Sequence, residues 1–245
     1  MSKPDDKTID AFDDAQRRGW RLLSQVARQI VVGMSEVDID ALAQQHLKDH
    51  GFDRWFHGPH IRVGERTLVG MSRASTKARV AEGALVMLDL GPANGDCFAD
   101  VGVTLRIGEG PEPDVLKQAR ECVRGCVGFS SQWKTVGELY VFAKAWATNH
   151  RLELASERAI GHEVLPPEGV FRFGYPRSAH LGTLMSRHRI HFLHPVRMAG
   201  MWAFRPVFSD GKQGAAFEEV ISIRGDEKRI LGRDSLAEVG TLPAV

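Results

Sequence analysis

The sequence predicts an α+β domain built from two related halves. Segments with helical spacing of apolar residues come in pairs, each pair followed by strand-like segments, so a helix–helix–strand–strand order occurs twice. The 245 residues, 43% of them hydrophobic, suffice for one large core. No tandem repeat of short period and no low-complexity segment breaks that order. Residues 1–245 are therefore read as a single domain, with the polar stretch 1–7 as a flexible tail.

The first helix is expected over 8–31, where Ile9, Phe12, Ala15, Trp20, Leu22, Leu23, Val26 and Ile30 recur at roughly helical spacing. Val32-Gly33-Met34-Ser35 breaks it, and Ser35 is a suitable N-cap, with Asp38 three residues on in a weaker capping box. The second helix, 36–49, stops at Gly51. Residues 52–107 read as mainly β, with turn signals at Gly58-Pro59, Gly64-Glu65 and Glu82-Gly83. A third helix follows Pro111-Glu112-Pro113 over 112–128, and a fourth spans 136–149 after Thr135. Short strands are expected around 158–164, 189–194, 200–207, 215–223 and 228–231.

Charge and cysteine usage exclude several classes. With 32 basic and 31 acidic residues and no long block of one sign, nothing suggests a nucleic-acid or membrane surface. Cys97, Cys122 and Cys126 are odd in number and irregularly spaced, against a disulfide framework. Cys122 and Cys126 stand four apart on a helix and are read as buried thiols rather than a redox or zinc pair. No apolar run approaches membrane-spanning length and the N-terminus has no apolar signal region, so a cytoplasmic protein is expected.

The most informative stretch carries Asp89 and Asp100. Pro92, Asn94 and Gly95 divide it into a hairpin, with a strand over 84–90, a turn near 92–96 and a strand over 97–107. A hairpin brings both carboxylates to one face, where burial without a counter-charge is costly. A bound cation is the usual relief. Hydrolase metal sites combine oxygen ligands with an imidazole. Glu218, at the mouth of the apolar strand Val220-Ile221-Ser222-Ile223, is a further carboxylate, and His150, His162, His180, His188, His191 and His194 lie between.

These residues together resemble the pita-bread superfamily of methionine aminopeptidases, aminopeptidase P, prolidase and creatinase. The family's metal-binding hairpin, Asp-x-Gly followed by Asp-x-x-x-Thr, is similar to Asp89-Leu90-Gly91 and Asp100-Val101-Gly102-Val103-Thr104, with the usual glycine at Gly108. Its final motif, Glu-[Glu/Asp]-x-[Val/Leu], resembles Glu218-Glu219-Val220-Ile221, and its Gly-Met-Thr-Glu helix entry resembles Gly33-Met34-Ser35-Glu36. The likeness runs from about residue 8 to 232, with a weak middle. It implies a curved antiparallel sheet flanked by two helix pairs.

The resemblance implies a metal held by Asp89, Asp100, His162 and Glu218. His162 takes that place because Gly161-His162 matches the family's Gly-His pair; His180 is its rival, or the histidine that faces the scissile carbonyl. One ion per chain is expected, and the ligand types do not choose among manganese, iron, cobalt and zinc. Glu219 or His180 would then move protons or orient ligands, and His57 and His60 would contact substrate.

Two departures stand out. Gly200-Met201-Trp202-Ala203-Phe204-Arg205-Pro206 keeps the frame of a Glu-Pro motif but carries Arg205, which cannot ligate a metal. Arg205 would replace a cation, pair with Asp100 or Glu218, or hold a substrate carboxylate. Nor does a histidine stand seven residues after His162, where Gly169 is, or after His180, where Arg187 is. The expected activity is metal-dependent hydrolysis of an amide or related C–N bond in a specialised small or peptide-like substrate, with homodimers as in the family. The alternative is a metal-independent, creatinase-like enzyme or a non-catalytic binding protein.

Overall fold

A computed structural model describes residues 4–69, 74–129, 135–156, 159–164, 189–191 and 198–232. Helix α1 (Asp6–Ala27) starts where the Asp5 carboxylate accepts the Thr8 N–H, so the order begins inside the stretch expected as a tail. Its apolar face, including Trp20, Leu23 and Val26, packs with Val86, Leu88 and Val101 of the adjacent sheet. Gly19 permits that approach, because a Cβ there would lie 2.4 Å from the Ala99 Cβ. Ser35 and Asp38 cap α2 (Glu36–His46) reciprocally, as the sequence indicated. A single 3-10 turn, Lys48–His50, then ends at Gly51, whose φ of 75° suits glycine.

Strands β1 (Arg54–Val63), β2 (Leu85–Asn94), β3 (Cys97–Phe98) and β4 (Val101–Arg106) form an antiparallel sheet in which β2 pairs with the other three. The hairpin is tighter than expected: β2 runs on to Asn94, and the turn needs only Gly95 and Asp96. Helices α3 (Asp114–Phe129) and α4 (Val136–Asn149) follow, and the Glu138 carboxylate accepts the Thr135 N–H at the start of α4. Cys122 and Cys126 are buried on α3 and form no disulfide.

The second half has strands β5 (Glu153–Leu154), β6 (Gly161–Glu163), β7 (Gly200–Phe204), β8 (Val207–Ser209), β9 (Gly214–Ala216), β10 (Glu219–Arg224) and β11 (Glu227–Ile230). They form a four-stranded sheet in the order β11-β10-β7-β6 and a three-stranded sheet in the order β5-β8-β9. Trp202, Phe204, Phe208, Ile221 and Ile223 pack with the inner faces of α3 and α4. In the stretch expected as a strand around 189–194, Arg189 bridges His162 and the Ile190 N–H bonds to the Gly161 carbonyl.

Three expected strands are split, each beside a predicted site residue. Asp100 parts β3 from β4, because its N–H bonds to the Gln16 side chain rather than to a strand. Arg205 and Pro206 part β7 from β8; proline has no N–H to continue a ladder. Phe217 and Glu218 part β9 from β10, and there the second half joins the first. Val103 bridges Phe217, the Glu218 N–H bonds to the Gly102 carbonyl (2.9 Å), and the Ala216 N–H bonds to the Thr104 hydroxyl (2.9 Å).

Candidate metal centre

Asp89 lies mid-strand on β2, opposite Gly102 on β4 and His60 on β1. Asp100 sits in the break after β3, where Gln16 of α1 clamps its backbone: the Gln16 carboxamide oxygen accepts the Asp100 N–H at 2.9 Å, and the carboxamide NH2 donates to its carbonyl. Glu218 enters from the second half. One oxygen from each of these three buried carboxylates lies within 4.8 Å of the others. Gly102 makes the convergence possible, since a Cβ there would meet Glu218 Oε2 at 2.8 Å and Arg205 Cδ at 3.1 Å.

Positive groups surround the cluster. Arg205 places Nη2 3.2 Å from Asp89 Oδ2 and Nε 3.9 Å from Glu218 Oε2. His162 brings Nε2 to 2.8 Å from Asp100 Oδ2, while its Nδ1 stands 3.0 Å from the Glu163 carbonyl. That pairing fixes the ring as a metal-ligating histidine is ordinarily fixed, with one nitrogen on a carbonyl and the other facing the site. Gly161 before it lets β6 lie against β7, since a Cβ there would be 2.1 Å from the Ala203 carbonyl oxygen. His57 places Nε2 3.2 Å from Asp100 Oδ1 and 3.5 Å from Asp89 Oδ1, and His60 Nδ1 is 3.5 Å from Asp89 Oδ2.

Burial pulls every charged group here towards its neutral form, and neighbours decide the outcome. For Asp89, burial is overruled by Arg205 and His57, and its pKa falls to about 2. Asp100 is likewise held well below the usual carboxylate range, against burial, by His162 and His57. His57 rises to about 9, because Asp89 and Asp100 outweigh the cost of burying its charge. Glu218 moves the other way: burial, then repulsion from Asp100 and Asp89, pushes it well above the ordinary range. Its Oε2 is buried and accepts no hydrogen bond.

The structure thus gathers Asp89, Asp100, Glu218, His162, Arg205, His57 and His60 at one place. Glu219 opens β10 in pairing with Phe204 and, though buried, belongs to neither group of close ligand atoms. Neighbouring residues on a strand face opposite ways, which separates it from Glu218. His180, His188 and His194 lie outside the described residues, whereas His150 stacks near Trp146 at the end of α4, away from these groups. Sequence reasoning missed Gln16, whose only signal was an amide among the apolar positions of α1. It also missed why Gly91 is glycine: a Cβ there would touch the His57 ring at 2.6 Å.

The donor set fits a divalent cation. Three buried acidic side chains converge there beside an imidazole, and Glu218 Oε2 accepts no hydrogen bond. Arg205 supplies fixed positive charge on the side towards Asp89 and Glu218.

Among solved structures, the chain is similar to an X-Pro aminopeptidase from Thermotoga maritima, with a TM-score of 0.74 and 19% identity over 94% of this chain and 62% of that one. It is similar to the prolidase from Pyrococcus horikoshii, with a TM-score of 0.70 and 17% identity over 94% of this chain and 63% of that one. It also matches a methionine aminopeptidase from Thermotoga maritima, with a TM-score of 0.70 and 18% identity over 95% of this chain and 99% of that one. The chain therefore spans about three fifths of the X-Pro aminopeptidase and prolidase, and nearly all of the methionine aminopeptidase. At these identities the likeness establishes the expected pita-bread fold. No curated protein matches. No helix among the described residues is long and apolar enough to cross a membrane. The family model that matches covers residues 10–224, and the chain belongs to metallopeptidase family M24.

Proposed function

We propose that this protein hydrolyses an amide or related C–N bond with a divalent ion held by Asp89, Asp100, Glu218 and His162. The observation that carries the reading is the convergence of three buried carboxylates with Glu218 Oε2 left without a donor. A divalent ion bound there supplies Lewis acidity towards a carbonyl and makes water more acidic. Asp100 is kept ionised by His162 and His57, so it is ready to ligate. Arg205 provides fixed positive charge beside Asp89 in place of a second cation, and does so without needing a ligand.

Glu219 and His180 retain the proposed roles of orienting ligands and moving protons. Because Arg205 alters the peptidase ligand set, a specialised small substrate fits better than a general peptide. A cytoplasmic homodimer acting as a single domain is part of the same reading. Metal content tests it. Purified protein loaded with manganese should retain an ion that Asp89→Asn and Glu218→Gln each remove, as read by elemental mass spectrometry. Unaltered metal content in both variants would overturn the proposal.

A second reading has its own support. Arg205 and the raised His57 already compensate Asp89 and Asp100. This favours metal-independent chemistry of the creatinase kind. Turnover of small amides or amidines that persists after exhaustive chelation would select it, and loss of turnover with the ion would exclude it.

A further inference from the structure

We propose that His57, His60 and Asp89 form a second cation site, softer than the carboxylate site and joined to it through Asp89. The inference rests on the proposed carboxylate site only in sharing that residue. One ligand atom from each of the three lies within 4.8 Å of the other two. His57 Nε2 stands 3.5 Å from Asp89 Oδ1 and His60 Nδ1 stands 3.5 Å from Asp89 Oδ2, so the two imidazoles reach the two oxygens of one carboxylate. His60 Nδ1 is buried and makes no hydrogen bond.

The backbone is arranged for this meeting. Residues three apart on a regular strand face opposite sides of the sheet. In β1 the register against β2 shifts between Trp55 and His57 and again between His57 and His60. Such irregularities re-aim side chains, and here both imidazoles arrive at Asp89. Gly91 leaves room for the His57 ring, and Phe56, stacked on Phe98 with centroids 4.0 Å apart, anchors the strand next to it. The two rings lie parallel, with centroids 4.8 Å apart. Directing both lone pairs at one ion takes rotation of a ring about Cβ–Cγ, a torsion with broad wells.

Two imidazoles and a carboxylate select zinc, cobalt, nickel or iron(II) over magnesium or calcium, and leave coordination positions open. Three buried acidic side chains, Asp89, Asp100 and Glu218, meet beside the two imidazoles. The His60 side chain is 26% exposed, which gives an ion a route from solvent.

Cobalt is the probe. The full chain, stripped with a chelator and reloaded, is analysed by elemental mass spectrometry and by X-ray absorption for imidazole ligation. The wild type should bind about two cobalt ions, with histidine scattering. His60→Ala and His60→Gln should each lose one ion, Glu218→Gln the other, and Asp89→Asn both. Circular dichroism checks that every variant is folded. A wild type holding one ion that both His60 variants keep would overturn the second site and leave the carboxylate site standing. An ion lost in the His60 variants but kept in Glu218→Gln would support the histidine site and sink the carboxylate one. No binding at all would overturn both.

Discussion

Arg205 is the residue on which the chemistry turns. Its guanidinium reaches Asp89 and Glu218 from the end of β7, and both carboxylates in turn hold it charged against the cost of burial. A fixed positive charge about 4–5 Å from an ion is repulsive by several kcal/mol even with substantial screening. Replacing Arg205 with alanine should therefore tighten manganese binding about tenfold or more, measured by calorimetry. Weaker binding by Arg205→Ala would mean that the guanidinium organises the ligands rather than competing with the ion. The position was visible in the sequence because its Pro206 neighbour preserved a recognisable frame. Its approach to Glu218 was among the pairings the sequence suggested; its contact with Asp89 was not, since that depends on the end of β7 reaching β2.

At the scale of elements, the hairpin and the helix caps were legible and the strand breaks were not. Ser35 with Asp38 and Thr135 with Glu138 are local signals, satisfied within one turn. The breaks at Asp100 and Glu218 instead depend on partners far away in the chain, such as Gln16, 84 residues from Asp100. Glu36 is another case. Its buried carboxylate accepts from the Val63 N–H, the Arg66 guanidinium, and the Thr76 N–H and hydroxyl, tying α2 to β1 and to the segment before β2. Burial would raise its pKa, but these donors prevail and lower it. A group with a lowered folded pKa stabilises above its unfolded pKa and loses that contribution as pH falls through the folded value. Glu36→Gln should cost about 2 kcal/mol at neutral pH. Its denaturant midpoint should also fall less steeply than the wild type's below about pH 4.5, when followed by fluorescence.

On the scale of the molecule, two halves meet at the site and each supplies side chains to it. The first half gives Asp89 and Asp100, the second gives His162, Arg205 and Glu218. Thr104 is one rivet between them, accepting the Ala216 N–H two residues before Glu218. Thr104→Val keeps the shape and leaves that buried N–H unmatched, so it should destabilise the fold by about 1–3 kcal/mol. The same change should lower metal affinity, because Glu218 loses part of its anchorage; undiminished affinity in a destabilised variant would show that the Gly102 bond alone holds Glu218. The two-half plan could be read from the order of periodic segments. The seam could not, because a hydroxyl-to-amide bond across 112 residues leaves no periodic trace.

The guanidinium at the centre has one more consequence. Most acidic clusters of this kind would push themselves apart once chelated bare, and the surrounding core would loosen with them. Here a tethered cation stays behind. The acidic side of the seam therefore carries its own counterweight, held by covalent linkage rather than by equilibrium.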